Sequence, residues 1–506
     1  MATTAPPTTA PAAAPRPVRW YNYAAYGSND ILGAGSMAVI STWVLFFYTT
    51  FCGLSAAEAT LIFGVARVLD AVTSPTVGYI SDRFGATALG RLFGRRRFFI
   101  LAAIPLLPSF AIMWVAGQSF WYYLVTYVLF EMVYAMEIIP FETLAAEMGS
   151  DYRTKAKFAG WRIMTGQISA ILAAILPGRL IGYLGKNSPD TYLYMGILFA
   201  GLFMLSATFL YLFSWERPLV AQQAAAKGGS LSPLAAIREL YRNLFSTLRI
   251  RAFRLHLGMY LGGYVSQDVF NAAFTYFVVF ALGGTAVAVS NLAGLTYAVQ
   301  TVAVLLAINF ALRASPAHAY QIAVASFAAG ILLFFGLWAL GMGASGWAFV
   351  APVMFAGLGR GALNYIPWAT YNYMADVDEI VTGRRREGAF AGVMTFVRKM
   401  SQAGALIGVG QILQFAGFRA GATVQAPGTV HAIVAVLVLG SLALLGFGLW
   451  ISMRFRLNPQ THATLMEEIE RLRAGERGPS SPASQAVVED LSGWRYDQLW
   501  GRNPVA

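Results

Sequence analysis

Residues 366–392 read IPWATYNYMADVDEIVTGRRREGAFAG, and residues 139–160 read IPFETLAAEMGSDYRTKAKFAG. Each stretch opens on Ile-Pro-aromatic at the end of an apolar block, runs through Met and Asp into a basic cluster, and closes on Phe-Ala-Gly at the start of the next block. Ile139-Pro140-Phe141, Met148 and Asp151 correspond in this way to Ile366-Pro367-Trp368, Met374 and Asp376. Such a pair, one copy in each half of the chain, is the mark of an internal duplication built from helix, charged turn and helix.

Working outward, both stretches are bounded by blocks of about twenty apolar residues, enough at 1.5 Å per residue to cross a hydrocarbon core of roughly 30 Å. Twelve blocks are read, at 24–51, 57–80, 98–117, 121–145, 163–185, 191–213, 254–281, 287–312, 320–342, 347–373, 389–417 and 430–453. Hydrophobic residues make up 57% of the chain and charged residues 12%, against roughly 25% charged in a soluble domain. The apolar surface is too large to hide from water, so the expected fold is an all-α polytopic membrane protein. Glycines and prolines inside the blocks suit helices embedded among other helices.

The net charge of +12 is distributed by loop and forms no separate basic domain, which argues against a nucleic-acid partner. Arg83, Arg91 and Arg95–Arg97 follow block two. Arg153, Lys155 and Lys157 follow block four, Arg238 to Arg254 follow block six, and Arg384–Arg386 follow block ten. The alternate loops carry little beyond Lys186 and Arg419. The positive-inside rule then places the even-numbered connections and both termini in the cytoplasm, in a bacterial inner membrane.

Five segments are expected. Residues 1–20, rich in Ala, Pro and Thr, form a disordered tail. Residues 21–214 form an N-terminal six-helix half, 215–253 a polar linker, 254–454 a C-terminal six-helix half, and 455–506 a cytoplasmic tail with a short amphipathic helix. In that tail Thr464 and Glu467 read as a capping box, with Leu465, Ile469 and Leu472 on one face. The segment from Gly493 to Trp500 reads either as disordered or as docking on the body or a partner. Two six-helix halves related in this way are the major-facilitator architecture, with its site between the halves near the midplane.

Three motifs carry a resemblance to a family. The run from Ala66 through Arg67, Asp70, Ser74, Pro75 and Gly78 to Asp82-Arg83 resembles the second helix and following loop of the glycoside–pentoside–hexuronide:cation symporters, the melibiose-permease-like group. Pro367-Trp368, Asp376, Asp378-Glu379, Thr382 through Gly388 and Phe396 to Lys399 resemble its tenth-to-eleventh helix signature. Pro140-Phe141, Glu147, Asp151 to Arg153 and Arg162 resemble its fourth-to-fifth connection. The resemblance implies a secondary active symporter of a sugar, glycoside or sugar acid, working by alternating access with no cofactor beyond a coupling cation.

Charges inside spans cost at least about 2.5–3.5 kcal/mol each on insertion scales, so they mark the places to look. Arg67, Asp70 and Ser74 recur at helical spacing on one stripe. The resemblance makes Asp70 the cation-coupling acid and Lys399 the basic residue beside it, and Arg67, one turn from Asp70, is read as a structural charge partner. Where the family places a second acid, this chain has Ser74. A lone buried carboxylate gains proton affinity by desolvation, so a coupling proton is favoured over sodium, with Glu137 a candidate for the missing carboxylate. The resemblance also assigns substrate contact to Asp30 and Arg162. Asp268, Asn271, Arg360 and Trp368 complete a candidate polyol pocket, in which Arg360 suits an anionic or hydroxylated group.

The chain has no Gly-x4-Gly-Lys-Ser/Thr phosphate loop and no nucleophile or metal-ligand constellation, which argues against ATP drive and against an enzyme. The expected partners are a small-molecule solute and membrane lipid, and the expected state is a monomer. Two other readings stay open: a transporter of an amphipathic or lipid-like solute, and a membrane sensor or scaffold acting through its C-terminal tail.

Overall fold

The computed structural model describes residues 16–149, 152–184, 188–216, 242, 245–311, 315–343, 346–371, 373–384 and 386–502. The first fifteen residues, most of the linker 215–253, and Asp151, Lys186, Arg238 and Arg385 lie outside the described residues. Among the described residues every regular element is helical.

Twelve long rods follow in order: α1 (Trp20–Thr50), α2 (Ala56–Arg83), α3 (Arg97–Ile112), α4 (Phe120–Met148), α5 (Tyr152–Leu184), α6 (Pro189–Phe213), α7 (Arg251–Tyr276), α8 (Ala286–Ala311), α9 (Pro316–Ala339), α10 (Val350–Tyr371), α11 (Glu387–Phe415) and α12 (Pro427–Ser452). Among the described residues seven of these, α1, α4, α5, α6, α8, α9 and α12, are long and apolar enough to span a membrane by length and composition. The longest of the others, α2, α7, α10 and α11, carry Arg67 and Asp70, Asp268, Arg360, and Arg398 with Lys399. Their lower hydropathy has a cause: these charges face a shared interior and not lipid.

Three boundaries differ from the sequence reading in ways that matter. Helix α5 starts at Tyr152, eleven residues before the expected block, because the basic run of the preceding turn is itself helical. Arg162 therefore sits roughly three turns inside the helix and not at its edge. The corresponding turn of the second half forms a separate nine-residue helix, Met374–Thr382, whose residues are all buried. Helix α1 loosens into two wider π turns, Ile31–Gly35 and Ile40–Val44, the first beginning just after Asp30. Such bulges are frequent at functional positions.

The halves meet along α2 with α11, α5 with α8, and α1 with α7. Tyr276 donates to the Leu45 carbonyl (3.0 Å), Thr275 to the Thr42 carbonyl (2.9 Å), and the Gly421 amide to the Thr49 carbonyl (2.9 Å). The Ser290 hydroxyl accepts from the Gly178 amide at 3.0 Å. These four hydrogen bonds lie toward the ends of the rods remote from the arginine-rich loops. The halves are thus joined on that face.

On α10, Gly359 and Gly361 set the direction of the residue between them. A Cβ on Gly359 would come within 2.7 Å of the Ala323 carbonyl of α9, and one on Gly361 within 2.6 Å of Ala303 of α8. The two glycines let α10 nestle against both neighbours, as small residues do in lipid-embedded bundles. At 100° per residue, Arg360 is left pointing away from both, into the interior.

The C-terminal segment packs on the second half. Its first helix, α13 (Pro459–Arg473), starts earlier than expected. Asn458 is the N-cap, accepting from the amides of Gln460 (3.0 Å) and Thr461 (2.9 Å), and Pro459 occupies the first helical position. This is the preferred pairing at a helix start, so Thr464 and Glu467 fall inside the helix and make no capping box. A second helix, α14 (Pro482–Ser492), follows, and Leu465, Ile469, Leu472, Val488, Leu491 and Leu499 are buried. The Trp500 and Gly501 amides donate to the carbonyls of Ile380 (2.8 Å) and Val381 (3.0 Å), and Arg473 pairs with Glu379. The tail so covers the short helix 374–382, which accounts for that helix being buried throughout.

Inside the tail Glu468 is fully buried. Burial pushes its carboxyl up, but hydrogen bonds from the Ser480 hydroxyl and amide and from the Tyr496 hydroxyl (2.6 Å) outweigh this and hold it below the usual carboxylate range. A depressed folded-state value stabilises at pH above the unfolded value, about 4.3, and that stabilisation is lost as pH falls through the folded value. Protease nicking between α13 and α14 is therefore expected to accelerate below about pH 4. Glu468→Ala is expected to make it fast already at pH 7, by about 1–3 kcal/mol of lost local stability. Equal nicking rates in the two proteins at pH 7 would remove Glu468 from this role.

Candidate functional site

The interior space is a cavity of about 650 Å³ between the halves, lined by α1, α2 and α5 on one side and α7, α8, α10 and α11 on the other. Of the eleven residues singled out in the sequence, Asp30, Arg67, Asp268, Asn271, Arg360, Trp368 and Lys399 line it. Three polar clusters surround it.

The first joins the halves. Lys399 Nζ lies 2.6 Å from Asp70 Oδ2 and donates to the Ser74 hydroxyl at 2.8 Å, while Ser74 donates to Asp70 Oδ1 at 2.8 Å. Ser74 thus bridges the acid on α2 and the base on α11. Arg67 sits 3.8 Å from Asp70 and 3.3 Å from Glu131 of α4. Two cations and two carboxylates neutralise one another in a buried group, the arrangement that makes intramembrane charge tolerable.

The second cluster lies between α1, α4 and α5. Arg162 reaches Asp30 at 3.4 Å and Glu142 at 3.0 Å, and its guanidinium stacks over the Phe141 ring. Gly33 and Gly166 leave room for the Asp30 carboxylate, which a Cβ at either position would strike. Glu137, fully buried, is brought to Asn29 and within electrostatic reach of Asp30, Arg162 and Glu142. It therefore does not supply a second carboxylate beside Asp70. One helical face away, Glu131 is the acid that α4 turns toward Arg67.

The third cluster belongs to the second half. Arg398 holds Asp268 by two contacts, of 2.6 and 2.9 Å, and Gln402 donates to the same carboxylate at 3.0 Å. Asp268 is thus engaged by protein. Gln267 accepts from Arg360 Nε at 3.4 Å and donates to Asn364 at 3.1 Å. Trp368, 40% exposed on the cavity wall, donates to the Tyr264 hydroxyl at 3.1 Å. Asn271 lines the cavity beside them. Arg360 is 6% exposed and lies over the rings of Phe270 (5.7 Å) and Tyr297 (5.8 Å). Among the described residues no carboxylate comes within ion-pair distance of it.

Sequence reasoning missed Arg398, Gln402, Gln267, Asn364 and Tyr264. A signal was present. Tyr264, Gln267, Asp268 and Asn271 fall at i, i+3, i+4 and i+7 on α7, and Arg360, Asn364 and Trp368 at i, i+4 and i+8 on α10, so each set shares one face. Arg398 could have been found as the neighbour of Lys399, with Gln402 one turn on.

The chemistry this arrangement offers is binding and conformational coupling: charged groups on both halves around an accessible cavity. The family model described as "MFS/sugar transport protein" matches residues 25–459. The chain is 33% identical over 182 residues to the uncharacterized symporter YnaJ of Bacillus subtilis, covering 34% of this chain and 38% of the relative. It is 24% identical over 400 residues to the glucuronide carrier protein homolog of Escherichia coli, covering 76% of this chain and 81% of that one. In fold it is similar to a bacterial homologue of the human lysosomal transporter Spinster, solved inward-facing and unoccupied, with a TM-score of 0.60 at 17% identity over 88% of this chain and 100% of the other. With its two halves, its interior charges and these matches, the chain is an integral membrane transporter, not an enzyme, and it belongs to the melibiose-permease-like sugar-transport family of the major facilitator superfamily.

Proposed function

We propose that this protein couples the movement of a cation, a proton in preference to sodium, to that of a sugar, glycoside or sugar acid by alternating access. The observation that carries this reading is the contact of Lys399 with Asp70 and Ser74 across the two halves. Asp70 has one carboxylate with two competing uses: it holds the ammonium of Lys399, or it takes a proton or a metal cation. Loading the acid frees Lys399 and loosens α2 from α11, so the occupancy of the cation site biases the rocking of the halves. Near Asp70 the neutral oxygen comes from a hydroxyl, Ser74, and the second acid, Glu131, is taken up by Arg67. That leaves few hard oxygens for sodium, which supports the proton.

In this reading the solute lies in the same cavity, between Asp30 of the first half, which Arg162 holds from behind, and Asn271, Asn364 and Trp368 of the second. Cation and solute then strengthen each other's binding by the same factor. The glucuronide carrier homologue and the YnaJ symporter support the solute class and the coupling by their names. Both termini and the arginine-rich face are assigned to the cytoplasm on loop charge, so the cavity opens inward.

The test is uptake of a labelled panel of hexoses, methyl glycosides and hexuronates into proteoliposomes, with proton and sodium gradients imposed one at a time. Concentrative uptake is expected with an inward proton gradient and not with sodium alone. Uptake that runs only down its own gradient, whatever ion is supplied, would overturn symport. Accumulation of a labelled lysolipid, with no sugar taken up, would favour the amphipathic-solute alternative.

A further inference from the structure

Among the described residues Arg360 stands apart from the other basic groups around the cavity. Arg67 and Lys399 are balanced by Asp70 and Glu131, Arg398 by Asp268, and Arg162 by Asp30 and Glu142. Arg360 is buried to the same degree as Arg67 and lines the same cavity. Among the described residues its guanidinium meets the Gln267 carbonyl oxygen, the Tyr297 side chain and the Phe270 ring, and Asp268, in electrostatic reach but not at ion-pair distance, is already held by Arg398. Its position is built: Gly359 and Gly361 allow the close approach of α9 and α8 that turns it inward.

A guanidinium keeps its charge at any accessible pH, so it does not escape burial by losing a proton. A cation in such a place without an acid is incomplete, and the cavity it faces is where its counter-charge enters. From this we infer that the transported solute carries a localised anionic group, a carboxylate or a sulfonate, which the Arg360 guanidinium receives in the second half. The planar fork of arginine matches the paired oxygens of either group. Gln267 holds Nε, so the guanidinium's Nη groups remain for the anion. The uncharged donors and acceptors of Asn364, Asn271 and Trp368 on the same wall take the hydroxyl-bearing remainder. The inference rests on the transport reading above, and it narrows the solute from polyols in general to anionic ones.

The experiment uses the full chain in detergent and in proteoliposomes with three probes: methyl β-glucuronide, methyl β-glucoside, which has the same ring without the carboxylate, and 3-hydroxypropane-1-sulfonate, an anion that is not a sugar. Binding is read by calorimetry and exchange by counterflow. The wild type is expected to prefer the glucuronide over the glucoside by about 10- to 100-fold, the range of one hydrogen-bonded charge. Arg360→Gln is expected to bring the ratio of glucuronide to glucoside affinity down to within about twofold. Arg360→Lys, which keeps the cation, is expected to retain part of it and controls for a folding defect in Arg360→Gln. Equal affinity for glucuronide and glucoside in the wild type, or a preference that survives in Arg360→Gln, overturns the inference and leaves sugar symport standing. Arg360-dependent binding of the sulfonate with neither sugar bound upholds the anion site and overturns the sugar reading. Binding of none of the three probes overturns both.

Discussion

Asp70→Asn is expected to abolish accumulation. A driving force of about 100 mV on one charge, roughly 2.3 kcal/mol, supports about 50-fold concentration of a coupled solute, and the variant should settle at about onefold. The Asn side chain neither takes up a proton nor neutralises Lys399, so the alternation between internal ammonium and external cation has nothing to act on. Counterflow exchange of labelled for unlabelled solute needs rocking but no net cation movement and should persist. The measurement is the steady-state ratio of internal to external solute in proteoliposomes, beside the counterflow rate in the same preparation. A variant that still concentrates solute would remove Asp70 from coupling, and one that lost both activities would point to a structural role.

The second large effect concerns assembly. Arg67 neutralises Glu131 at 3.3 Å and lies 3.8 Å from Asp70, with the side chains of all three almost wholly out of reach of water. Arg67→Met retains length and bulk but leaves two carboxylates sharing Lys399. Removing one partner of a buried ion pair costs about 3–5 kcal/mol, because the group left behind stays desolvated without compensation. Arg67→Met is therefore expected to lower the melting temperature sharply, or to prevent recovery of monodisperse protein. Adding Glu131→Gln should recover most of the loss, since the double variant again has one acid for one base. The expected signature is a coupling energy of about 1–3 kcal/mol between the two positions. If the double variant is as unstable as Arg67→Met alone, the two side chains are not a pair in the folded protein.

The sequence by itself determined the membrane-spanning helical fold, and it carries the repeated turn and the loop charges on which the proposed sidedness rests. Each of these is written locally: a run of apolar residues as long as the hydrocarbon is thick, a repeated turn, and the sign of a loop. It also determined which charged residues had to be explained, because any charge within such a run is costly wherever it points. On α4, Glu131 and Glu137 face different ways, as their spacing along a helix requires. Spacing is a property of one helix, though, and gives no direction relative to a neighbour.

What only the tertiary structure decided was the pairing. Ser74 and Lys399 are 325 positions apart and in hydrogen-bond contact. Their meeting depends on how α2 crosses α11, which no window of sequence contains. The same holds for Glu131, claimed by Arg67, and for Glu137, expected beside Asp70 and placed with Asn29. Asp268, read as a substrate ligand, is held by Arg398. The segment from Gly493 to Trp500, which composition left between disorder and docking, lies on the body, with Leu499 buried and the Trp500 amide on the Ile380 carbonyl. Arg360 shows the same division: its charge and its flanking glycines were legible in the chain, but its lack of an ion-paired acid became visible only once the helices had brought the other basic groups around the cavity to theirs.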